Sequence, residues 1–377
     1  MEGPRSPAPH EMDSLYDLVN TVFRSGSAGR MENQYPLLFT EENRDHLFVV
    51  TDAGRVVAHV GAFTRDISVL GCTLKTMSIG AVATLESYRG AGLATRLMET
   101  AIRTGRAEGS SLMLISGSRG LYRRLGTTRA GRYVVFTASR SVLPSGPVEI
   151  APATETDLPA LVRLYAHEPV RYIRSVTDFQ GALCANWIVD RAGETLTVSG
   201  KEGLLAYVAV QTPNSASEHE ANRVRIVEMA GSRVAIGQAL PAIMGRYGVS
   251  TIEVIALESD RDTARFLAGY GVFPQPEGFG GTSIVLDPER FLTAFAPYVK
   301  TALGPDRLRW SVTPEEIVFS CEGQTLTVTP STLGLLWFGV VEPDADPRLT
   351  VAAGTPLREG LDTLLPVQLP WYGHNYV

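Results

Sequence analysis

The chain has 377 residues, too many for one compact core and suited to two or three domains. Apolar residues make up 44% and charged residues 20%, an ordinary globular balance, and no run of 18 apolar residues offers a membrane span. The net charge of −6 argues against nucleic acid and tilts toward a cationic partner.

In chain order, "MEGPRSPAPHEMD" lacks an apolar stretch behind basic residues, so it reads as a short lead-in rather than a secretory signal. Ser14 to Phe23 carry Leu15, Leu18, Val19 and Val22 at helical spacing, behind Asp13 as N-cap. "HLFVV" and "RVVAHVGAF" flank the turn "TDAG" and predict a hairpin, and "GCTLKTMSIGAVATL" adds a further arm. The segment "YRGAGLATRLM" follows, in which Leu93, Leu97, Met98, Ala101 and Ile102 share one face, so a helix starts at the glycines.

The second half repeats this order. "LTVSGKEGLLAYVAVQ" matches "LFVVTDAGRVVAHVGA", with Gly203 answering Gly54, and "RVRIVEMA" stands where "TMSIGAVAT" stood. "IEVIALESDRDTARFLAGYGV" echoes "LMLISGSRGLYRRLGTT". Self-similarity at about 150 residues predicts two copies of one α/β domain. The second copy lacks the arginine-glycine-x-glycine turn and has Leu267 where the first has Tyr122, so it reads as structural. Beyond it, short strands and the apolar helix "STLGLLWFGV", capped by Ser331, predict a smaller α+β unit. The expected domains are 1–140, 141–290 and 291–377, in an α/β (α+β) fold with mixed sheets flanked by helices.

The chemistry concentrates at the glycine turn. A helix start has free N–H groups and a positive dipole end, and glycine lets a ligand approach the backbone closely. Arg89 adds charge beside Gly90, Ala91, Gly92, Leu93 and Ala94. A Gly-rich turn without a ligand fits the bare G-x-G as well. Leu93 stands where a Walker motif needs lysine, and Thr95 where a dinucleotide fingerprint needs its third glycine, so neither applies. Six scattered histidines and three distant cysteines show no ligand spacing, so no metal is expected, and the cysteines read as reduced and the chain as cytoplasmic.

"AVATLESYRGAGLATRLM" resembles the acetyl-CoA pyrophosphate loop of the Gcn5-related N-acetyltransferases (GNAT), whose signature is Q/R-x-x-G-x-G/A. Two tandem GNAT-like domains, the second degenerate, followed by a sterol carrier protein-like unit, resemble the enhanced intracellular survival (Eis) type, over nearly the whole chain. The resemblance implies an acetyl-CoA-dependent transferase acting on an aminoglycoside, polyamine or lysine-type amine, with a homo-oligomer possible in the family. It implies that Val82 and Ala83 lie beside the pantetheine arm and that Tyr122 protonates the leaving thiolate. It also implies that the carboxylate of Val377 reaches the site as base or orienting group; "LPWYGHNYV" reads as well as a tail packed on its own domain. Gly90 and Ala91 stand where Eis-type chains often carry arginines, which shifts phosphate binding toward backbone amides. Arg119, Arg123, Arg124, Arg129 and Arg132 are candidates for the 3′-phosphate or a solvated face, and Asp344 and Asp346 for attracting cations or a plain loop. Trp371 and His374 read equally as pocket lining or packed tail. A non-catalytic acyl-CoA-binding module is the rival reading.

Overall fold

A computed structural model describes residues 1–25, 29–214, 217–340 and 342–377. Their contacts gather into two units, one of residues 1–131, 278–369 and 377, the other of residues 132–277 and 370–376. The fold is mixed α/β, as expected.

The first unit begins with the strand Glu2–Arg5, which pairs antiparallel with Leu47–Asp52 where a lead-in was expected, and continues with the helix Met12–Phe23, which buries Leu15, Leu18 and Val19. The helix starts two residues earlier than Ser14, and Asp13 lies inside its first turn. Glu11 holds the N-cap position instead, its carboxylate taken by Arg5 at 2.7 Å and by the Ala8 N–H at 2.7 Å. The strands Leu47–Asp52 and Arg55–Val69 form the expected hairpin, with Asp52 opposite Arg55. Ala53 and Gly54 both take positive φ, the pairing a tight two-residue hairpin needs. Cys72–Thr84 continues the sheet antiparallel, and Leu112–Ile115 then joins parallel to it after the crossover helix Leu93–Ala107. Behind the sheet, Val57, Val60, Ile79, Leu97, Met98 and Ile115 share one core.

Residues 291–369 are gathered with this unit. The strands Arg309–Val312, Ile317–Cys321 and Gln324–Val328 make a small antiparallel sheet. Phe291, Phe295, Phe319, Trp337 and Phe338 are fully buried together, with ring centroids 5.2 to 6.3 Å apart. The helix Pro330–Phe338 is capped by Thr329 and not by Ser331: Pro330 takes the first helical position, and the Thr329 hydroxyl accepts from the Thr332 N–H.

The second unit repeats the plan. Arg191–Gly200, Gly203–Gln211 and Arg223–Gly231 are antiparallel neighbours, and Thr251–Ala256 joins Arg223–Gly231 in parallel after the helix Arg233–Tyr247. In each sheet the strand beside the parallel one comes from outside its own repeat. Thr282–Val285 pairs with Leu112–Ile115 in the first unit, and Arg132–Ser139 pairs with Thr251–Ala256 in the second. Among the described residues, no helix is long and apolar enough to cross a membrane.

Candidate active site

After Thr84 the chain makes a single turn, Glu86–Tyr88, held where the Tyr88 hydroxyl donates to Asp52 at 2.8 Å. Arg89, Gly90, Ala91 and Gly92 follow, all exposed. Gly90 and Gly92 have φ of 84° and 74°, and a Cβ at either would meet nothing within 4 Å. Glycine is needed there for backbone conformation, and the space above it is open. Gly92 stands at the N-cap of Leu93–Ala107, and no side chain caps that helix. The N–H groups of its first turn therefore point outward unclaimed, while Leu93, Leu97 and Met98 pin the helix to the core. Ala94 is half-buried in that turn. This is the geometry of a phosphate cradle.

A second feature forms where two strands part. The parallel ladder runs from Thr76 opposite Leu112 to Ile79 opposite Ile115 and ends there. Gly80 and Ser116 are the first residues beyond it. A bulge takes up Ala81, at φ 50°, so that Gly80 pairs with Gly61 and Ala83 with His59. Val82 is half-buried and Ala83 buried on this parted stretch. Val377 lies in the fork, only 5% exposed. A Cβ on Gly80 would overlap the terminal C and O of Val377. The Ser116 hydroxyl donates to the Val377 oxygen at 2.9 Å.

Tyr122 sits on the short helix Gly120–Arg124, buried, its ring against Gly117, where an added Cβ would come within 3.1 Å of it. Burial pushes its phenol pKa above the ordinary 10, with Arg119 partly opposing the shift. The adjacent residues Ser116 and Gly117 thus touch Val377 and Tyr122 respectively. Gly80, Ser116 and Gly117 were not singled out from sequence; the only signal is their small size, one within a strand and two just past another.

The other candidates disperse. Arg119, Arg123, Arg124 and Arg129 are exposed, whereas Arg132 pairs with Glu258 at 2.8 Å in the second unit. Asp346 is taken by Arg348 at 2.6 Å, and Asp344 is exposed. His59, also unnoticed in the sequence, is fully buried, its Nδ1 3.1 Å from the Phe48 carbonyl, and burial holds its pKa near 4. No group of three or more His, Cys, Asp or Glu suited to a metal occurs among the described residues.

The second unit treats the same two features differently. Ser232 caps the helix Arg233–Tyr247 by accepting from the Ala235 N–H. Glu168 accepts from the Gly231 N–H at 3.3 Å and from Arg233 at 2.9 and 2.5 Å, and Arg233 also reaches Asp260 at 2.8 Å. The parallel ladder ends at Ile226 opposite Val254, and with Gly203 matched to Gly54, Glu228 takes the register position of Val82. Glu228 grips Arg174 through two bonds of 2.6 and 2.7 Å and accepts from the Tyr207 hydroxyl at 2.8 Å. Burial alone would raise the Glu228 pKa, but Arg174 overrides it and holds the carboxyl near 2. Residues 373–375 lie on this pair: the His374 N–H donates to Glu228 at 3.1 Å and Arg174 donates to Asn375. The His374 ring is buried beside Thr195 at 3.0 Å, and Trp371 packs on Tyr133 with centroids 4.4 Å apart. A cavity of about 610 Å³ opens between Glu228, Arg233, Asp260 and Trp371. Leu267 is buried and offers no hydroxyl.

No curated protein matches the chain in sequence. Many solved structures match the chain, among them three that share its fold over nearly its full length. A probable N-acyltransferase from Enterococcus faecalis is 15% identical, covering 97% of this chain and 98% of its own, with a TM-score of 0.67. A GCN5-related N-acetyltransferase from Kribbella flavida is 16% identical over 97% of each chain, with a TM-score of 0.64. Eis1 from Mycobacterium abscessus is 13% identical over 98% of each chain, with a TM-score of 0.62. Residues 4–130, which carry the open glycine turn and Tyr122, match the family model of the acetyltransferase (GNAT) domain, and with that domain the chain is an N-acetyltransferase.

Proposed function

We propose that the first unit transfers the acetyl group of acetyl-CoA to a small-molecule or lysine-type amine, in the manner of the Eis type. The observation that carries this reading is the uncapped helix start at Gly92, with Tyr122 and Val377 touching adjacent residues of one strand end. The pyrophosphate is held by the amides of the turn, with Arg89 at the mouth. The pantetheine arm runs along Val82 and Ala83, whose stretch of strand lacks a parallel neighbour. The substrate nitrogen attacks the thioester carbon, and a backbone N–H near Val82 takes the developing negative charge on oxygen. When the carbon–sulfur bond breaks, the thiolate accepts the proton of Tyr122. Burial keeps that phenol protonated at neutral pH, so the proton is present when needed.

The attacking amine must also lose a proton. On this reading the α-carboxylate of Val377 is the anion in the fork. An α-carboxyl near ~3.5 and an alkylammonium near ~10.4 differ by roughly 9 kcal/mol, too much for simple proton abstraction. The carboxylate therefore orients the ammonium; after that group loses one proton to solvent the neutral amine attacks, and the carboxylate accepts the second proton once the new bond has made the nitrogen far more acidic. The Eis-type reading adds a sterol carrier protein-like domain over residues 291–377, a cytoplasmic setting and the homo-oligomer found among members of that type.

The test is thiol release from acetyl-CoA across polyamines, aminoglycosides and lysine peptides, with Tyr122→Phe and a variant extended by one residue after Val377. Turnover with at least one amine, lowered on the order of 100-fold in both variants, is expected. No release with any amine, despite measurable coenzyme binding, would overturn the proposal.

A further inference from the structure

We infer that Ser116 is a positioning residue for the Val377 carboxylate; the inference rests on the reading of Val377 as the proton acceptor. Ser116 is the first residue past the last parallel pair, and Gly80 is its counterpart on the neighbouring strand. Gly80 has no side chain, which leaves room for the carboxylate, and Ser116 supplies a donor. The Ser116 hydroxyl has one proton and two acceptors in reach, Val377 at 2.9 Å and the Ile79 carbonyl at 3.3 Å. The Ile79 carbonyl is already approached by the Ser116 backbone N–H at 3.4 Å. The hydroxyl proton therefore goes to Val377, the shorter contact and the charged acceptor.

The bond has two consequences. A carboxylate rotates freely about its Cα–C bond, and a donor on one oxygen stops that rotation, leaving the second oxygen aimed at the substrate ammonium. A hydrogen bond to the charged form also lowers its basicity. Loss of the hydroxyl should therefore slow turnover and move the acid limb of the pH profile upward together. A serine that merely closed the strand end on Ile79 would do neither.

The experiment measures thiol release against pH for the full chain, for Ser116→Ala and Ser116→Thr, and for the one-residue extension. Ser116→Ala should lose about tenfold in kcat with KM for acetyl-CoA unchanged and its acid limb shifted up, whereas Ser116→Thr keeps most of the rate. An extended chain of full activity removes both the reading of Val377 and this inference. An inactive extension with an unaltered Ser116→Ala profile overturns the inference alone. It is equally overturned if Ser116→Thr, still folded, is as slow as Ser116→Ala, or if the alanine variant loses Tm and raises KM without moving the limb.

Discussion

Replacing Gly80 by alanine adds one methyl group at the fork, and its effect can be worked through from the contacts. The backbone there is not in the left-handed region, so alanine brings no conformational strain of its own. The new Cβ would lie 3.1 Å from the Val377 Cα and nearer still to the terminal carbon. Carbon pairs settle at about 3.5–4.0 Å, so Val377 must retreat by roughly 1–2 Å. Retreat breaks the Ser116 bond, worth about 1.5–3 kcal/mol to a charged acceptor, and loosens a buried valine worth about as much. Against this, alanine gains about 0.4–1 kcal/mol by restricting the unfolded chain. The net is a loss of roughly 2–5 kcal/mol, felt at the displaced terminus and not in the ladder of the sheet. A misplacement of about 1 Å at a reacting group costs on the order of 100-fold, or about 2.7 kcal/mol of barrier. The expected result is kcat lowered about 100-fold, Tm lowered on the order of 10 °C by the net loss, and KM for acetyl-CoA nearly unchanged because the glycine turn is untouched. A folded Gly80→Ala protein with kcat within about threefold of the parent would show that the position of Val377 does not matter to the chemistry.

Two further outcomes are expected. Gly92→Asp places a carboxylate over the open amides of Leu93–Ala107, so KM for acetyl-CoA should rise at least about tenfold through like-charge repulsion, read by titration of the coenzyme; an unchanged KM would remove the anion role of this helix start. Stability should fall as pH drops from 6.5 toward 4, because His59 and His374 are each held near 4 by burial against 6.5 when unfolded. The unfolded chain binds those protons first, so each histidine's contribution, up to about 3 kcal/mol, is complete above 6.5 and lost as pH falls to 4. Glu228, held near 2 against 4.5 when unfolded, adds its own loss only below about pH 5, so the slope between pH 7.5 and 5 belongs to the histidines. Urea unfolding at pH 7.5 and 5 checks this, with His59→Gln expected to flatten the dependence; an equal slope in the variant would refute it.

The elements that position the site were legible where local rules decide them. "TDAG" marked a hairpin because two residues with positive φ must join strands so closely, and "RGAGLATRLM" marked a helix start because glycines precede a clean apolar stripe. The exchange of Arg132–Ser139 and Thr282–Val285 was not legible. Strand period reports that a segment is a strand and which face is buried, but carries no information on which sheet edge it closes. The same limit hid the fork: Gly80 and Ser116 matter because a ladder ends between them, and the end of a ladder is a property of two distant segments. Thr329 displaced Ser331 as a cap because Pro330 fixes the first helical position, a detail that one-residue offsets routinely decide.

The two repeats also show why one fold does not imply two coenzyme sites. A helix start attracts anions in either copy, yet at Arg233–Tyr247 Ser232 accepts from one of the N–H groups and the Glu168 carboxylate occupies the approach at Gly231. Arg233 pairs with both Glu168 and Asp260, so a diphosphate arriving there would have to displace an internal carboxylate from a paired arginine. Past the end of the ladder, Glu228 puts a fixed negative charge at the register position where the first copy has Val82, beside the place proposed for a developing oxyanion. Electrostatics at both ends of the cleft thus oppose acyl-CoA in the second unit. The capped helix start and Glu228 then act in the same sense: on the proposed reading the first unit's cleft receives an anion, whereas the second unit's charges are already satisfied within the unit.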